Sequence, residues 1–263
     1  ANGPAPSPVF IAKTTNGFGR VSNMAQPNSI QASMPDNDFT NTQGWFDLYI
    51  EVDPTDDNIL YVGGIDIFRS TDAGLNWTQI SQAYTNEDDL SDVHPDNHTI
   101  VFDPSDPNKA VFGNDGGIYY SDDLANAASS STGLTSRNNN YNITQFYKGA
   151  IGQEVANEKL LAGAQDNNSL LLNNATPGIN SADVVTGGDG AYCFIDRDNE
   201  YMITSAQNGS FYRSNYATGN VNFQISNSAG GDFITPAALD SDNDILYIDG
   251  TTGAPTYQIL RYS

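Results

Sequence analysis

Both histidines of the chain lie in one short stretch, "DVHPDNHTIVFDPSDPNKAVFGNDGG", residues 92–117. His94, Asp96 and His98 alternate with other residues, and in an extended segment this spacing places all three side chains on one face. Two imidazoles and one carboxylate are ligand types that zinc and other divalent metals accept. The spacing therefore suggests a metal site, with Asp92, Asp115 or a water as a further ligand. The alternative is a polar entry to a β-strand, with the histidines hydrogen-bonded to neighbouring segments.

Three glycine-rich turns, "GNDGG", "GAQDNN" and "GGDGA", carry further polar side chains. A glycosidase uses two carboxyl groups about 5–9.5 Å apart as acid and base, and the candidates for this role are Asp96, Asp115, Asp166 and Asp189. Candidate ligand-binding residues in or beside the same turns are Asn114, Gln165 and Tyr147. The sequence does not show which of these residues face each other. The alternative is that the aspartates and glycines only form turns.

Two acidic stretches, "DRDNE" at 196–200 and "DSDND" at 240–244, resemble fragments of calcium-binding loops. Neither continues into the glycine and the distal glutamate of an EF-hand loop. The alternative for both is a solvated turn between two strands. The sequence therefore names no certain cofactor, and a divalent cation such as Ca²⁺ is its candidate.

The stretch "STDAGLNW", residues 70–77, fits the pattern S-x-D-x-G-x-x-W, which is the Asp box of β-propeller proteins. Gly74 permits a positive φ, and the Asp72 carboxylate can accept hydrogen bonds from turn amides. Ser70 is expected to cap the end of a strand, and Trp77 to fold back as an apolar plug. We therefore interpret this motif as a folding device that joins the third and fourth strands of a blade.

The pattern around this motif recurs along the chain. Five copies read as strand, polar turn, strand, glycine turn and strand, and their third strands are expected to end near Ser70, Ser121, Leu172, Ser214 and Ser263. A repeat of this length with short strands predicts β-propeller blades. We therefore predict an all-β fold, a β-propeller of four-stranded antiparallel blades with about five repeats. It would be a single propeller region over residues 1–263, as part of a larger protein, with approximate repeats at 15–70, 71–121, 122–172, 173–214 and 215–263.

Composition excludes several classes of partner. Lys and Arg total 10 against 32 Asp and Glu, for a formal charge of −22, and such a surface repels nucleic acid. No apolar stretch reaches the roughly 18 residues that a membrane-spanning helix requires, so membrane insertion is not expected. The one cysteine, Cys193, lies in an apolar run and is expected to be a small core residue. Abundant Asn, Thr, Ser, Gly and Tyr with scarce Lys suit an extracellular protein.

Several runs together resemble a known group of proteins: "ILYVGGIDIFRSTDAGLNW", "VHPDNH", "FDPSDPNKAVFGNDGGIYYS", "LLAGAQDNNS" and "GGDGAYCFID". They are similar to Asp-box (BNR-type) β-propellers of large secreted proteins from Gram-negative bacteria, which commonly carry a type IX secretion sorting domain. They also look like sortilin-type and xyloglucanase-type propellers. The resemblance covers roughly residues 44–250 and implies secretion or display at the cell surface. Where related sequences often have glycine after "GAQDN", this chain has Asn168.

Three functions remain open at this stage. The first is a non-catalytic binding or adhesion scaffold for protein or glycan. The second is a glycoside hydrolase-like enzyme acting on a polysaccharide. The third is a structural subunit of an extracellular assembly or filament, in which open blade edges pair with other chains, because unpaired strand edges invite such pairing.

Overall fold

The computed structural model describes residues 9–32, 34–84, 90–141, 143–154, 158–178, 180–227, 231–251 and 258–263. The chain divides into two compact units, residues 2–141 and residues 142–263. Short strands make up nearly all of the regular structure in both units. Among the described residues, no helix has the length and apolar character that crossing a membrane requires.

The first unit consists of two four-stranded sheets and two small strand pairs. The strand bounds are β1 Ala12–Thr14, β2 Val21–Asn23, β3 Tyr49–Val52, β4 Leu60–Gly63, β5 Ile67–Ser70, β6 Thr78–Gln79, β7 Ser81–Gln82, β8 Ser91–Asp92, β9 Asn97–Asp103, β10 Asp106–Asn114, β11 Gly117–Ser121 and β12 Thr135–Ser136. Strands β3 to β6 form one antiparallel sheet in chain order, and β9 to β12 form the other. Strands β7 and β8 pair in parallel, and a short 3-10 helix, Ala127–Ser129, lies between β11 and β12.

The second unit contains three sheets. The strand bounds are β13 Lys148–Ile151, β14 Leu160–Gly163, β15 Ser169–Leu172, β16 Asp183–Thr186, β17 Cys193–Ile195, β18 Tyr201–Ala206, β19 Ser210–Asn215, β20 Val221–Asn227, β21 Ala237–Asp240, β22 Ile245–Asp249 and β23 Ile259–Tyr262. Strands β13 to β16 and β17 to β20 form four-stranded antiparallel sheets in chain order. Strands β21 to β23 form a three-stranded sheet among the described residues.

This order of strands confirms the predicted fold class. Each large sheet is built from consecutive antiparallel strands, which is the arrangement of a β-propeller blade. The third strands of the five sheets end at Ser70, Ser121, Leu172, Asn215 and Tyr262. These ends lie within one residue of the positions that the repeat pattern indicates. The grouping of residues 1–263 into one propeller region, with the repeat bounds given above, stays a prediction.

In the first unit, the core lies between the faces of the two large sheets. Tyr61 and Ile67 of the first sheet and Ile100 and Phe112 of the second belong to one buried cluster. Alternation of apolar and polar residues along each strand directs these side chains to the shared interior. Full burial of a side chain of this size contributes about 1.5–3 kcal/mol each. The packed sheets therefore fix the positions of the strand ends from which the loops extend.

In the second unit, the core forms in the same way between successive sheets. Leu161 and Leu171 pack against Cys193 and Met202 of the next sheet. Cys193 is fully buried, and this burial raises the pKa of its thiol to about 12. The cysteine therefore fills a small space in the core, as its apolar sequence context predicts.

Candidate functional site

The loop that carries both histidines turns sharply before the second sheet begins. Strand β8 ends at Asp92, β9 begins at Asn97, and between them Asp96 has a φ of +62°. The expectation of an extended segment from His94 to His98 is therefore wrong at its centre. The short Asp side chain tolerates this left-handed conformation, and Asp commonly bonds to its own turn. Strand alternation consequently does not align His94, Asp96 and His98 on one face.

The two imidazoles make different contacts. His94 Nδ1 lies 3.1 Å from the carbonyl oxygen of Pro95, and the amide of His94 donates to the Tyr119 hydroxyl over 3.2 Å. His98 Nε2 lies 2.7 Å from Asp115 Oδ1, so the glycine-rich turn and strand β9 are tied together at this point. His98 is thus placed to orient the Asp115 carboxylate.

Three carboxyl groups meet beside these histidines: Asp47, Asp96 and Asp115. An oxygen of Asp96 and an oxygen of Asp115 lie within 4.8 Å of each other. Burial, then the charge of Asp96 and also that of Asp115, raise the pKa of Asp47 from 3.8 to about 8. Burial and the charge of Asp115 also raise the pKa of Asp96. The cluster therefore holds a proton on Asp47 at neutral pH.

Asp47 is the most enclosed member of this cluster, with 0% of its surface exposed. Its carboxyl group interacts with its own backbone amide, which lowers its pKa, and with the Asp96 carboxyl group, which raises it. Its close neighbour is the carboxyl group of Asp96, and two carboxyl groups in contact are stable only when a proton or a cation lies between them.

The segment that supplies Asp47 is a tight turn ahead of β3. The amides of Phe46 and Asp47 both donate to the carbonyl of Gln43, over 2.7 and 3.1 Å. The Gln43 side chain donates through Nε2 to Asp96 Oδ1 over 3.3 Å. Neither Gln43 nor Asp47 was predicted from the sequence. The available signal was an aspartate within the otherwise apolar run "GWFDLYI", immediately before a strand.

An aromatic rim accompanies the carboxyl cluster. Trp45 is 82% exposed and its ring centroid lies 5.6 Å from that of Phe46. The Phe46 ring meets the His98 ring edge to face at a centroid distance of 5.0 Å. A tryptophan side chain usually packs at least partly, whereas the turn at residues 43–47 leaves this indole largely in solvent.

The "GNDGG" turn is shaped by the residues around it. Asn114 Nδ2 donates to the carbonyl of His94 over 3.0 Å, and Asn114 Oδ1 accepts from the Gly116 amide over 3.1 Å. A Cβ on Gly116 would lie 2.3 Å from the His94 side chain, so only glycine fits. Gly117 has a φ of +115°. Asn114, a predicted binding residue, therefore has its side chain hydrogen-bonded within the loop.

The second unit brings together the other predicted residues. The Tyr147 hydroxyl donates to Gln165 Oε1 over 2.6 Å, and Tyr147 is about half exposed. Asp189 Oδ1 accepts from the amide of Asp166 over 3.0 Å. Asn168, where related sequences often carry glycine, has a φ of +70°. Asparagine tolerates this conformation better than other side chains, which accounts for its presence at this position.

The turn from Ser70 to Trp77 is held by its own polar groups. Asp72 Oδ1 accepts from the amides of Leu75 and Asn76 over 3.0 and 2.8 Å, and the Ser70 hydroxyl accepts from the Gly74 amide over 2.9 Å. Gly74 has a φ of +84°. Trp77 packs beside the buried cluster of Phe39 and Phe68, and its Nε1 donates to the carbonyl of Ala25 over 2.8 Å. These contacts give the turn a structural role.

The two acidic stretches that resemble calcium loops use their carboxylates internally. Asp196 Oδ2 accepts from the amides of Asp198 and Glu200 over 3.1 and 3.2 Å, and its other oxygen accepts from the Ser241 hydroxyl. Arg197 pairs with Asp242. These bonds join two hairpin turns of neighbouring sheets in the second unit.

Comparison with known proteins gives a likeness of fold. No family model matches the sequence, and no curated protein matches it. Among solved structures, it is similar to the β-propeller domain of Cps50 (Swd1) from Myceliophteria thermophila, with 7% identity over 83% of this chain and 72% of that chain and a TM-score of 0.35. A quinonprotein alcohol dehydrogenase-like protein of Bacteroides thetaiotaomicron is 14% identical over 82% of this chain and 52% of its own, with a TM-score of 0.36.

A third similar structure is the GH74 enzyme of Niastella koreensis. It is 15% identical, with a TM-score of 0.44, and the match covers 95% of this chain but only 37% of the enzyme. This chain therefore spans about half of the Bacteroides protein and little more than a third of the enzyme. Identities and TM-scores this low carry no information about the activity of this chain.

Proposed function

We propose that this chain is a non-catalytic glycan-binding scaffold, built from β-propeller blades and acting at the cell surface or outside the cell. The observation that carries the proposal is the exposure of Trp45 beside Phe46 and the carboxyl cluster. Secretion by a type IX route, as the resemblance implies, belongs to the same proposal. A protein ligand is the other partner class for such a scaffold, and the experiment below separates the two.

The chemistry of a sugar fits this surface. An indole ring offers a flat apolar face, which suits the C–H face of a pyranose, and its exposure means that no packing has to be broken on binding. Asp115 is partly exposed and His98 is oriented against it, so polar groups stand beside the aromatic face. Binding sites of this kind combine apolar contact with a few fixed polar groups.

The net charge of the chain limits which classes of ligand this surface can bind. A formal charge of −22 opposes polyanions such as nucleic acid or strongly sulfated polysaccharide, because phosphate and sulfate require clustered cations. Neutral polysaccharide has no such barrier. We therefore expect a neutral or weakly charged glycan as the ligand.

The test is equilibrium binding of the purified chain to a panel of neutral and acidic polysaccharides. Trp45→Ala is expected to weaken binding to the recognised polysaccharide at least about tenfold, which corresponds to about 1.4 kcal/mol. Leu75→Ala is the matched control, because Leu75 is also a large exposed apolar side chain but lies in the Ser70–Trp77 turn. Unchanged affinity in Trp45→Ala, or wild-type protein that binds no polysaccharide of the panel, would contradict the proposal.

A glycoside hydrolase is the second candidate function, and one observation favours it. Oxygens of Asp96 and Asp115 lie within 4.8 Å of each other, so two carboxyl groups stand side by side, as the acid and base of a glycosidase do. Burial raises the pKa of Asp96, as a general acid requires. Asp96 is buried, however, and this leaves little room for a substrate, which argues against hydrolysis.

Release of reducing sugar from the same panel decides between binding and hydrolysis. An enzyme would lose its activity in both Asp96→Asn and Asp115→Asn, with Asp189→Asn as the control carboxylate from the second unit. Binding without any release by the wild-type protein would leave the scaffold as the better account. If reducing sugar is released and none of these substitutions changes the rate, the catalytic residues lie at another site of the chain.

A further inference from the structure

The second unit contains a cavity of about 320 Å³ that the glycan proposal does not use. Residues of the sheet β17 to β20 and of the sheet β21 to β23 line it, and it borders the buried cluster that these two sheets share. Its apolar lining comes from Ile203, Phe223, Ile225, Leu239, Leu246 and Tyr262. A cavity of this volume is at the small end of the range for small-molecule sites, so it suits a compact ligand and not a polymer.

One guanidinium group borders this cavity. Arg213, on β19, has its guanidinium carbon 4.6 Å from the ring centroid of Tyr201 and 5.9 Å from that of Phe223. Its Nη1 donates to the side-chain oxygen of Asn222 over 3.1 Å, in the amide orientation that satisfies both groups. No carboxylate of the described residues lies within ion-pair distance of Arg213, although the chain has 32 Asp and Glu. The guanidinium therefore keeps N–H donors for a planar acceptor such as a carboxylate.

Carboxylates border the same cavity. Asp244 Oδ1 accepts from the Tyr201 hydroxyl over 2.8 Å, and the exposed Glu200 also lines the cavity. Because Arg213 stacks on the ring of the same tyrosine, a positive and a negative group both lie beside Tyr201. An organic anion would be repelled by the two carboxylates and by the formal charge of −22, and an organic cation would be repelled by Arg213. A molecule that carries both charges meets a group of opposite sign for each of them.

We propose that this cavity binds an α-amino acid with an apolar side chain. The carboxylate of the ligand pairs with Arg213, its ammonium group pairs with Asp244, and its side chain lies against the apolar wall that includes Leu246. Such a ligand has no net charge at neutral pH, so the acidity of the chain does not oppose its approach. Both contacts are charge-assisted hydrogen bonds, which are stronger than bonds between neutral groups.

Calorimetric titration of the purified chain with L-phenylalanine and with L-leucine tests the proposal. Two derivatives separate the roles of the charged groups, because L-phenylalaninamide lacks the carboxylate and N-acetyl-L-phenylalanine lacks the ammonium group. We expect each derivative to bind at least about tenfold more weakly than L-phenylalanine, since each leaves one charge of the protein without its partner. Equal affinity for L-phenylalanine and its two derivatives, or no binding of either amino acid by the wild-type protein, would overturn the proposal.

Two variants assign the charged groups of the ligand to residues. Arg213→Gln is expected to weaken binding of L-phenylalanine at least about tenfold and to leave the affinity for L-phenylalaninamide unchanged. Asp244→Asn is expected to weaken binding of L-phenylalanine similarly and to leave the affinity for N-acetyl-L-phenylalanine unchanged. Asparagine tolerates the φ of +55° at this position and keeps an acceptor for the Tyr201 hydroxyl. Arg261→Gln is the matched control, because Arg261 is an exposed arginine on β23 that does not line the cavity.

Circular dichroism of each variant establishes that it has folded. If Arg213→Gln does not fold, Asp244→Asn carries the test, because Asp244 lies in an exposed turn. Affinity for L-phenylalanine that equals that of wild type in a folded variant of either residue would contradict the proposal. Binding of polysaccharide is expected to be unchanged in both variants, since Trp45 belongs to the first unit. The amino-acid proposal and the glycan proposal therefore fail independently of each other.

Discussion

Asp66 is a fully buried carboxylate on which two opposing effects act. Its oxygens accept hydrogen bonds from the Ser29 hydroxyl, the side-chain amides of Gln31 and Gln79, and the backbone amide of Ala83, over 2.8–3.1 Å. These donors stabilise the ionised form, whereas burial disfavours it. Burial is the larger effect, and the pKa of Asp66 rises from 3.8 to about 6. Asp66→Asn removes this titration and keeps the size of the side chain.

The size of the effect follows from the two pKa values. A pKa difference of one between the folded and unfolded states corresponds to a free energy of about 1.4 kcal/mol. The rise from 3.8 to about 6 therefore corresponds to about 3 kcal/mol. Because the folded-state pKa is raised, the folded state binds the proton more tightly than the unfolded state. The resulting stabilisation is fully present below pH 4 and is lost as the pH rises through about 6. Between pH 4.5 and pH 7 the loss amounts to about 2 kcal/mol.

Urea unfolding of wild type and Asp66→Asn at pH 4.5 and pH 7 measures this effect. The difference between the two proteins cancels other titrating groups, such as exposed aspartates. We expect the stability advantage of the wild-type protein over the variant to be about 2 kcal/mol greater at pH 4.5 than at pH 7. A difference that does not depend on pH would refute the raised pKa. An advantage that grows as the pH rises would mean that the four donors outweigh burial.

Two substitutions test the packing between neighbouring segments. Asn97→Ala removes a buried amide that donates to the carbonyls of Gly64 and Ile65 over 3.1 and 3.0 Å, and we expect urea unfolding to show a loss of about 2–4 kcal/mol. Gly163→Ala places a Cβ 2.4 Å from the carbonyl oxygen of Ala191, and because backbone atoms cannot yield cheaply, we expect thermal and urea unfolding to show a loss of about 2–3 kcal/mol.

A control accompanies the glycine substitution. At Gly149, on the adjacent strand β13, a Cβ would lie 3.7 Å from the carbonyl oxygen of Leu161, which is an ordinary contact. Gly149→Ala is therefore expected to change stability much less than Gly163→Ala. Equal losses at the two positions would mean that the close approach to the Ala191 carbonyl does not decide the effect. For Asn97, a variant as stable as wild type would show that water replaces the lost amide.

The blades could be predicted from the sequence because their signals are local. Alternating apolar residues mark strands, and Asp, Asn, Pro and Gly mark the turns between them. The end of the third strand recurs in each copy, and the structure places those ends at Ser70, Ser121 and Leu172 as the repeat indicates. Local patterns of this kind do not depend on how distant segments meet.

The carboxyl cluster could be predicted only in part, because it depends on tertiary contacts. Asp96 and Asp115 carried a signal, since they lie in a histidine-containing loop and a glycine-rich turn. Asp47 comes from a separate turn about 50 residues before Asp96 in the sequence, and no short pattern connects the two. The alternating pattern of His94, Asp96 and His98 also did not predict the positive φ of Asp96. One left-handed residue is enough to break strand alternation.

The exposure of Trp45 beside the carboxyl cluster is the basis of the proposed function, and tryptophan fluorescence reads it directly. In the variant Trp77→Phe, Trp45 is the one remaining indole. Titration of this variant with oligosaccharides from a polysaccharide that the wild-type protein binds is expected to shift the emission maximum to shorter wavelength, because a sugar covers the exposed ring. Binding of the oligosaccharide with no change in Trp45 emission would contradict the account and place the glycan site elsewhere on the chain.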